Sequence, residues 1–224
     1  MVTGSAGGIG QAICTVFAHA GYRVVGVDRS QVTEQPLLAY YQADLAELPA
    51  LEPLLDNVEK DVGPITVVVN NAAHLDMSLF ADLTPDSMVR TLTVNVAAVA
   101  LLTRAAASRM AAREGGVVIN IASVAGKRGS SQPIYGASKA AVISLTKTLA
   151  RLYAPKVRVV GVAPALVEVG MGPGLSPEVR AGLIGQTPLG RGATGEEIAD
   201  VVAFLASPSA SYINGETVDV HGGL

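Results

Sequence analysis

The stretch Thr3–Gly10, "TGSAGGIG", places Gly4, Gly8 and Gly10 directly before an apolar segment with helical spacing, Ile9–Ala20. Glycine permits positive φ angles and lets the backbone approach a bound group closely. The amide groups at the start of the following helix then face a phosphate, which the helix dipole also favours. A glycine turn alone is a weak signal, so the interpretation as a nucleotide site depends on the sequence around it.

A carboxylate follows the glycine turn at the distance that ribose recognition requires. The apolar run Tyr22–Asp28 predicts a strand, and its last residue lies about 20 residues beyond the glycines. An acidic side chain at that point bonds the ribose hydroxyls of NAD and repels the 2′-phosphate of NADP. Arg29 follows at once and weakens this discrimination. The sequence therefore predicts a dinucleotide site in which NAD is favoured over NADP.

Composition limits the class of protein. The chain has 224 residues, half of them apolar, with a net charge of −3 and a mean hydropathy of +0.41. Nucleic-acid binders normally carry a basic patch, so we expect no nucleic-acid partner. A membrane span needs about 20 consecutive apolar residues, whereas the run Val94–Leu102 is interrupted by Asn95. We expect no membrane partner, no signal peptide and no metal, and the single Cys14 fits a reduced cytoplasm.

Strand and helix patterns alternate along the chain, which predicts crossover connections and a mainly parallel sheet. The other predicted strands are Leu38–Asp44, Ile65–Ala72, Gly116–Ser123, Val157–Pro164 and Glu216–Val220. The other predicted helices are Leu45–Val62, Thr84–Arg113, Gln132–Tyr153 and Glu196–Ala206. The irregular stretch 165–192, with a short helix at Ser176–Ile184, is interpreted as a substrate lid.

Several further motifs occur in order and resemble those of the classical short-chain dehydrogenase/reductase family. They are the T-G-x-x-x-G-I-G spacing, "NNAA" at Asn70–Ala73, "VNVAA" with Asn95, "IAS" with Ser123 and "YGASK" with Tyr135 and Lys139. The resemblance covers nearly the whole chain. It implies one domain over residues 1–224, an α/β Rossmann-type three-layer sandwich whose parallel seven-stranded sheet has the order 3-2-1-4-5-6-7. It also implies an NAD(P)-dependent oxidoreductase that transfers a hydride between a nicotinamide cofactor and a secondary alcohol or ketone.

Tyr135 and Lys139 are four residues apart and so lie on one face of a helix. Ketone reduction needs a proton donor, and alcohol oxidation needs a base. An ammonium ~5 Å from a phenol favours the phenolate by ~3 kcal/mol at an effective dielectric of ~20, or roughly two pKa units. We therefore expect a lowered pKa for Tyr135, with this residue as general acid or base and Ser123 holding the substrate oxygen.

The resemblance assigns further roles. It implies that Lys139 also bonds the nicotinamide ribose, that Asn95 holds a water linking Lys139 to solvent, and that Asp44 contacts the adenine ring. The complete set of predicted cofactor contacts is Gly4, Gly8, Ile9, Gly10, Asp28, Arg29, Asp44, Leu45, Asn71, Ala72, Ala73, Tyr135, Lys139, Pro164, Ala165 and Val167. The chain departs from the family pattern after the sixth strand, where Ala165 replaces a glycine and "VEV" at 167–169 stands near a usual threonine. The histidines His74 and His221 have no assigned role.

Two alternatives stay open. One is an NADPH-dependent 3-oxoacyl-thioester (acyl-carrier-protein) reductase, although many such relatives carry an arginine where Ala6 or Gly7 stands. The other is a non-catalytic dinucleotide-binding sensor or scaffold. The resemblance implies a homotetramer or homodimer that packs through the helices around residues 95–113 and 132–153. Because only Val2 and Thr3 are available for the central first strand, we expect that strand to be truncated and a few native residues to precede Met1.

Overall fold

The computed structural model describes residues 1–31 and 35–224. Its central element is a seven-stranded parallel sheet in the predicted order β3-β2-β1-β4-β5-β6-β7. The strands are β1 (Val2–Thr3), β2 (Val25–Asp28), β3 (Ala39–Gln42), β4 (Val67–Asn70), β5 (Gly116–Ile121), β6 (Val157–Pro164) and β7 (Thr217–Val220). Valine and isoleucine dominate the inner strands because both faces of a parallel sheet are buried.

Helices cover both faces of the sheet and form the outer two layers. They are α1 (Gly8–His19), α2 (Leu51–Val62), α3 (Pro85–Leu92), α4 (Val99–Ala111), α5 (Ala125–Arg128), α6 (Pro133–Tyr153), α7 (Pro177–Gln186) and α8 (Gly195–Ala206). One core lies between the sheet and helices α2, α4 and α6. A second core lies on the opposite face, under α1 and α8. The Rossmann-type three-layer arrangement is thereby confirmed.

The predicted helix Thr84–Arg113 is not one regular helix. After α3 the backbone forms a π-helical segment, Thr93–Ala98, before α4 begins. Such wide turns are uncommon and often occur at functional sites. Here the π-helical segment contains Asn95, whose side chain is completely buried. The predicted boundaries at both ends of this run were correct to within two residues, but the change of helix type inside it was not predicted.

One other helix prediction was wrong in its start, and one short helix was missed. The helix predicted over Leu45–Val62 starts later, because a 3₁₀ turn at Leu48–Ala50 precedes α2. Pro49 lies in that turn, where its missing N–H costs nothing. The short helix α5 was not predicted at all. It comes directly after the segment that carries Ser123. It packs closely on α6, as shown by Gly126, where an added Cβ would lie 2.6 Å from the Ala140 nitrogen.

The run Pro85–Ala111 is long and apolar enough to cross a membrane by length and composition alone: it has 27 residues, and an 18-residue window within it has a mean hydropathy of 1.3. However, 56% of its apolar window is buried inside the fold. Helix α4 packs on β4, β5 and α2, and α3 packs on α6. The core helix of a water-soluble protein meets the same criteria, so the burial accounts for the apolar composition of this run.

The first strand is short, as expected, and it directs the glycine turn to the ligand-binding edge of the sheet. Its pairing is extended by Met1, whose amino group donates to the Val67 oxygen at 2.8 Å and whose oxygen accepts from the Val69 nitrogen at 2.9 Å. The strand order reverses between β1 and β4, which is where open α/β sheets bind ligands.

Glu168 links the two ends of the stretch 165–192 through hydrogen bonds. The Glu168 carboxylate pairs with Arg180 on α7 and accepts the Gly192 N–H at 3.1 Å. The backbone N–H of Glu168 donates to the Ala193 oxygen at 2.8 Å. The two ends of the stretch are therefore fastened to each other, with α7 above them. This geometry suits a lid, and that role stays a prediction.

Candidate active site

The glycine turn is held so tightly that side chains are excluded from it. Gly4 has a φ of +65°, and a Cβ there would lie 2.7 Å from the Ala72 Cα. A Cβ on Gly10 would lie 2.1 Å from the Gly4 oxygen. A Cβ on Gly8 would lie 2.6 Å from the Cβ of Val169, at the start of the 165–192 stretch. The glycines at these three positions are therefore required by close packing of the turn and of the first turn of α1, which includes Ile9.

The "NNAA" turn clamps the glycine turn from the side of β4. The Thr3 hydroxyl accepts the N–H groups of Asn71 at 3.0 Å and Ala72 at 3.1 Å. The Asn71 side chain returns two hydrogen bonds, to the oxygens of Thr3 and Gly4, both at 3.0 Å. The motif Asn71–Ala73 was predicted to contact the cofactor. The structure shows that it also fixes the shape of the turn, and that Thr3, which we did not single out, is the central partner.

Asp28 lies where the sequence placed it, at the carboxyl end of β2 beside the glycine turn. Its carboxylate accepts the N–H of Ala6 and that of Ser30, each at 3.0 Å. These bonds fix the carboxylate between the turn and the residues after β2, including Arg29. A fixed negative charge at this point is what ribose recognition requires.

Asp44 is held by a partner that the sequence reasoning missed. Its carboxylate accepts the Ala46 N–H at 2.9 Å and bonds Arg90 on α3 at 2.8 Å. Both hydrogen bonds lower the pKa of Asp44. The neighbouring Leu45 has its side chain in the core, so only its main chain is available to a cofactor. No sequence spacing links Asp44 to Arg90, since 46 positions separate them.

Three of the four predicted catalytic residues converge beside the carboxyl end of β5. Ser123 follows that strand, and its hydroxyl accepts the Ala125 N–H at 3.2 Å. Tyr135 lies in the first turn of α6. One turn later the Lys139 ammonium lies 5.6 Å from the centre of the Tyr135 ring and donates to the Ile121 oxygen at 2.8 Å. The predicted pairing of a phenol and an ammonium is therefore present.

The electrostatics of this pair differ from our expectation. Burial raises the pKa of Tyr135, and the nearby Ser123 hydroxyl only partly opposes it. Burial also lowers the pKa of Lys139 to about 8. The expected lowering of the Tyr135 pKa was wrong for the protein groups alone, because it counted the charge of the ammonium and omitted the loss of water around both groups.

The Asn95 side chain forms three hydrogen bonds with the protein that the resemblance did not suggest. Its side-chain oxygen accepts the His74 N–H at 2.7 Å, and its amide donates to the His74 oxygen at 2.9 Å and to the Ser138 hydroxyl at 3.0 Å. The Ser138 hydroxyl in turn donates to the main-chain carbonyl oxygen of Tyr135 at 2.7 Å. Both amide hydrogens are thus engaged with protein, so the proposed water contact is not one that this amide donates.

The residues after β6 close the nicotinamide side of the predicted site. Pro164 ends the strand, and its oxygen accepts the Val124 N–H at 3.0 Å. Ala165 donates its N–H to Val220 of β7 at 3.1 Å. Val167 is buried and pairs with Ala193. These contacts place the segment rigidly beside Ser123.

The two histidines near the predicted site have separate surroundings. Burial and the nearby Arg90 lower the pKa of His74. The His221 ring nitrogen Nδ1 accepts the Gly223 N–H at 3.1 Å. Within residues 1–31 and 35–224, no group of three His, Cys, Asp or Glu side chains is arranged to hold a metal ion.

Comparison with known proteins agrees with this geometry. The family model described as enoyl-(acyl carrier protein) reductase matches residues 4–224. The chain is 35% identical over 233 residues to the 3-oxoacyl-[acyl-carrier-protein] reductase FabG of Salmonella typhimurium, covering 100% of this chain and 96% of the relative. It is 32% identical to a solved short-chain dehydrogenase/reductase, a glucose/ribitol dehydrogenase from Brucella melitensis, with a TM-score of 0.90 over 99% of this chain and 94% of the other. The chain belongs to the short-chain dehydrogenase/reductase family.

Membership in this family makes the protein an NAD(P)-dependent oxidoreductase acting on CH–OH groups. A further short-chain dehydrogenase/reductase fold, that of the aldohexose dehydrogenase from Thermoplasma acidophilum, matches with a TM-score of 0.88 and 28% identity, over 100% of this chain and 92% of the other. The names of these relatives include an acyl-thioester reductase and two sugar dehydrogenases. The substrate therefore has to be argued from this chain's own site.

Proposed function

We propose that this short-chain dehydrogenase/reductase is an NAD-dependent cytoplasmic enzyme that interconverts a small secondary alcohol and its ketone. The observation that carries the proposal is the arrangement around Tyr135. Its phenol interacts with the Ser123 hydroxyl, and the buried Lys139 ammonium lies over its ring, 5.6 Å from the ring centre. That combination suits proton exchange with an oxygen atom of a substrate.

The residues at the glycine turn fit a dinucleotide. A Cβ on Gly10 would overlap the Gly4 oxygen, so the turn keeps a bare backbone surface at the start of α1. Asp28 supplies a carboxylate for ribose hydroxyls, and its charge disfavours a 2′-phosphate, which supports NAD over NADP. The bound nicotinamide would supply the hydride acceptor or donor.

The chain's own residues manage the proton. The raised pKa keeps the Tyr135 phenol protonated near neutral pH, which is the form that donates a proton to the oxygen of a ketone during reduction. That donation leaves a phenolate, which the Lys139 ammonium stabilises. Alcohol oxidation runs the same transfer in reverse: the phenolate oxygen of Tyr135 takes the proton from the alcohol and becomes the phenol again. The Ser123 hydroxyl donates to the substrate oxygen and holds it beside the phenol.

A 3-oxoacyl-thioester reductase is the second candidate, and the 35% identity to the Salmonella enzyme favours it. A carrier protein would need exposed basic side chains near the site. Lys127 on α5 is engaged with Asp219 at 2.7 Å and with the Thr217 oxygen at 3.1 Å, whereas Arg128 is exposed. The basic surface beside Ser123 is therefore small, which favours a free small-molecule substrate.

The test is a nicotinamide absorbance assay with NAD and NADP, a panel of secondary alcohols and ketones, and 3-oxoacyl thioesters. We expect Tyr135→Phe to lower kcat by about 10²-fold or more while cofactor binding changes by less than about twofold. Tyr153→Phe is the matched control, because Tyr153 ends the same helix and its hydroxyl forms hydrogen bonds with the Arg104 oxygen and the Ser108 hydroxyl, away from Ser123 and Lys139.

The possible outcomes separate the candidates. Equal turnover by wild type and Tyr135→Phe would overturn the catalytic assignment. Much faster turnover of 3-oxoacyl thioesters with NADPH than of any alcohol with NAD would favour the acyl reductase. Tight cofactor binding without turnover of any compound would favour the sensor. Tighter binding of NADP than of NAD by the wild type would contradict the role given to Asp28.

A further inference from the structure

Four buried polar side chains form a hydrogen-bonded row behind the active site. The Asn70 amide on β4 donates to the Thr103 hydroxyl on α4 at 3.0 Å and to the Asn120 oxygen on β5 at 2.8 Å. The Asn120 amide then donates to the Thr146 hydroxyl on α6 at 2.9 Å. Asn120, Thr103 and Thr146 are fully buried, and Asn70 is 3% exposed. None of these three hydrogen bonds was used in the site described above.

The row lies directly next to residues that form the site. Asn70 and Asn120 are register partners on neighbouring strands. Asn120 immediately precedes Ile121, whose oxygen accepts the Lys139 ammonium. Thr146 lies seven residues beyond Lys139, which is two helical turns along the same face of α6.

Helix α6 is therefore fastened to β5 at two points. One is the bond from the Lys139 ammonium to Ile121 at 2.8 Å, and the other is the bond from Asn120 to Thr146 at 2.9 Å. Two separate bonds along one helix fix both its position along its axis and its rotation. The phenol of Tyr135, one turn before Lys139, takes its place relative to Ser123 from that register.

We propose that Asn120 and Thr146 are positioning residues, which set the register of α6 on β5 and so place Tyr135 and Lys139 against Ser123. This inference rests on the proposed function. Replacing both partners of a buried hydrogen bond by apolar groups of similar shape is often nearly neutral for stability. A buried polar row is therefore not needed to hold the core together. A misplacement of about 1 Å can lower a rate by about 10²-fold, so a directional bond at this depth matters for catalysis.

The test compares two substitutions of equal size. Thr146→Val and Thr103→Val each remove one buried hydroxyl that bonds an asparagine of the row, but Thr103 lies on α4, which carries none of the three converging residues. We expect Thr146→Val to lower kcat about 10-fold, with the KM for cofactor within twofold of wild type, and Thr146→Ser to restore it. Thr103→Val should leave kcat within twofold. Thr146→Ala removes the same hydroxyl with less bulk, and it serves if the valine variant does not fold.

A second measurement does not depend on turnover. The titration of the Tyr135 phenol is followed by ultraviolet difference absorbance, with Tyr135→Phe subtracting the other tyrosines. In Thr146→Val we expect the Tyr135 phenol to titrate at higher pH than in wild type, because the Lys139 ammonium is less well placed to stabilise the phenolate. In Thr103→Val the titration curve of Tyr135 should superimpose on that of wild type. Equal effects of the two valine variants on kcat or on this titration would overturn the positioning role. If the wild type turns over no substrate, the proposed function fails, and the titration still decides this inference.

Discussion

Lys139 places a primary amine where almost no water reaches it, since its side chain is 3% exposed. Burial lowers its pKa from 10.5 in the unfolded chain to about 8 in the folded one. Below about pH 8 both states hold the proton, and folding carries the full penalty of burying the charge. Between these two values the unfolded chain binds more protons than the folded chain, so the stability of the wild type rises with pH.

Lys139→Met removes this charge and keeps the length of the side chain. The variant should be inactive, yet more stable than wild type near pH 7 by up to about 3 kcal/mol, the equivalent of the shift in pKa. The difference should shrink as pH rises from about 8 and vanish above about 10.5. Urea unfolding of both proteins at several pH values measures it. A stability difference that stays constant over this range would show that the ammonium does not carry the penalty.

At the same scale, the sequence identified side chains by motif and missed their partners. Tyr135, Lys139, Ser123 and Asp28 lie where the motifs predicted. Their partners were missed because they are far away along the chain and are ordinary residue types. The Thr3 hydroxyl meets Asn71 across 68 positions, and Arg90 meets Asp44 across 46. Only the folded chain brings such pairs together.

At the scale of elements, helix ends were predictable where a local hydrogen bond determines them. Thr194 and Glu197 have capping-box spacing, and the structure contains both bonds of the box at the start of α8. Thr84 precedes Pro85, a residue suited to a first helical position, and it caps α3 by accepting the Ser87 N–H at 3.2 Å. The π-helical segment at Thr93–Ala98 had no such local signal. Its contacts are tertiary, since Asn95 bonds the His74 backbone and Ser138.

The capping box of α8 also supports the cofactor end of the molecule. Helix α8 packs on α1, and a Cβ on Gly195 would lie 3.1 Å from both Ala12 and Val169. Thr194→Ala should lower the free energy of unfolding by about 1 kcal/mol or more, measured by urea denaturation. The cap at Thr84 has no reciprocal glutamate bond, so the matched variant Thr84→Ala should lower the free energy of unfolding by less than Thr194→Ala does. A loss for Thr84→Ala as large as that for Thr194→Ala would contradict this ranking.

At the scale of the whole molecule, the strand order brings together the predicted site residues that directly follow strands. The glycine turn after β1, Asp28 after β2, the "NNAA" turn after β4 and Ser123 after β5 all lie at the carboxyl edge of one sheet. This convergence was predictable because parallel strands bring their carboxyl ends to the same edge. The orientation of α6 across that edge was not predictable. It involves buried hydrogen bonds between residues far apart along the chain, such as that from the Asn120 amide to the Thr146 hydroxyl.

Assembly is the whole-molecule property that remains a prediction. Val89 and Leu92 lie three residues apart on α3 and expose 62% and 44% of their surface, and Leu152 at the end of α6 exposes 69%. Of these helices only α6 belongs to the pair predicted to pack across subunits, and α3 packs beside it. Exposed apolar side chains on these two neighbouring helices suit a protein–protein interface. Light scattering should therefore give a mass of two or four times the 22.8 kDa of one chain. Val89→Asp should shift that mass downward without changing the circular dichroism, because a charge on this face opposes burial. A wild type that scatters as a monomer would refute the assembly, and an unchanged mass for Val89→Asp would place the interface on another face.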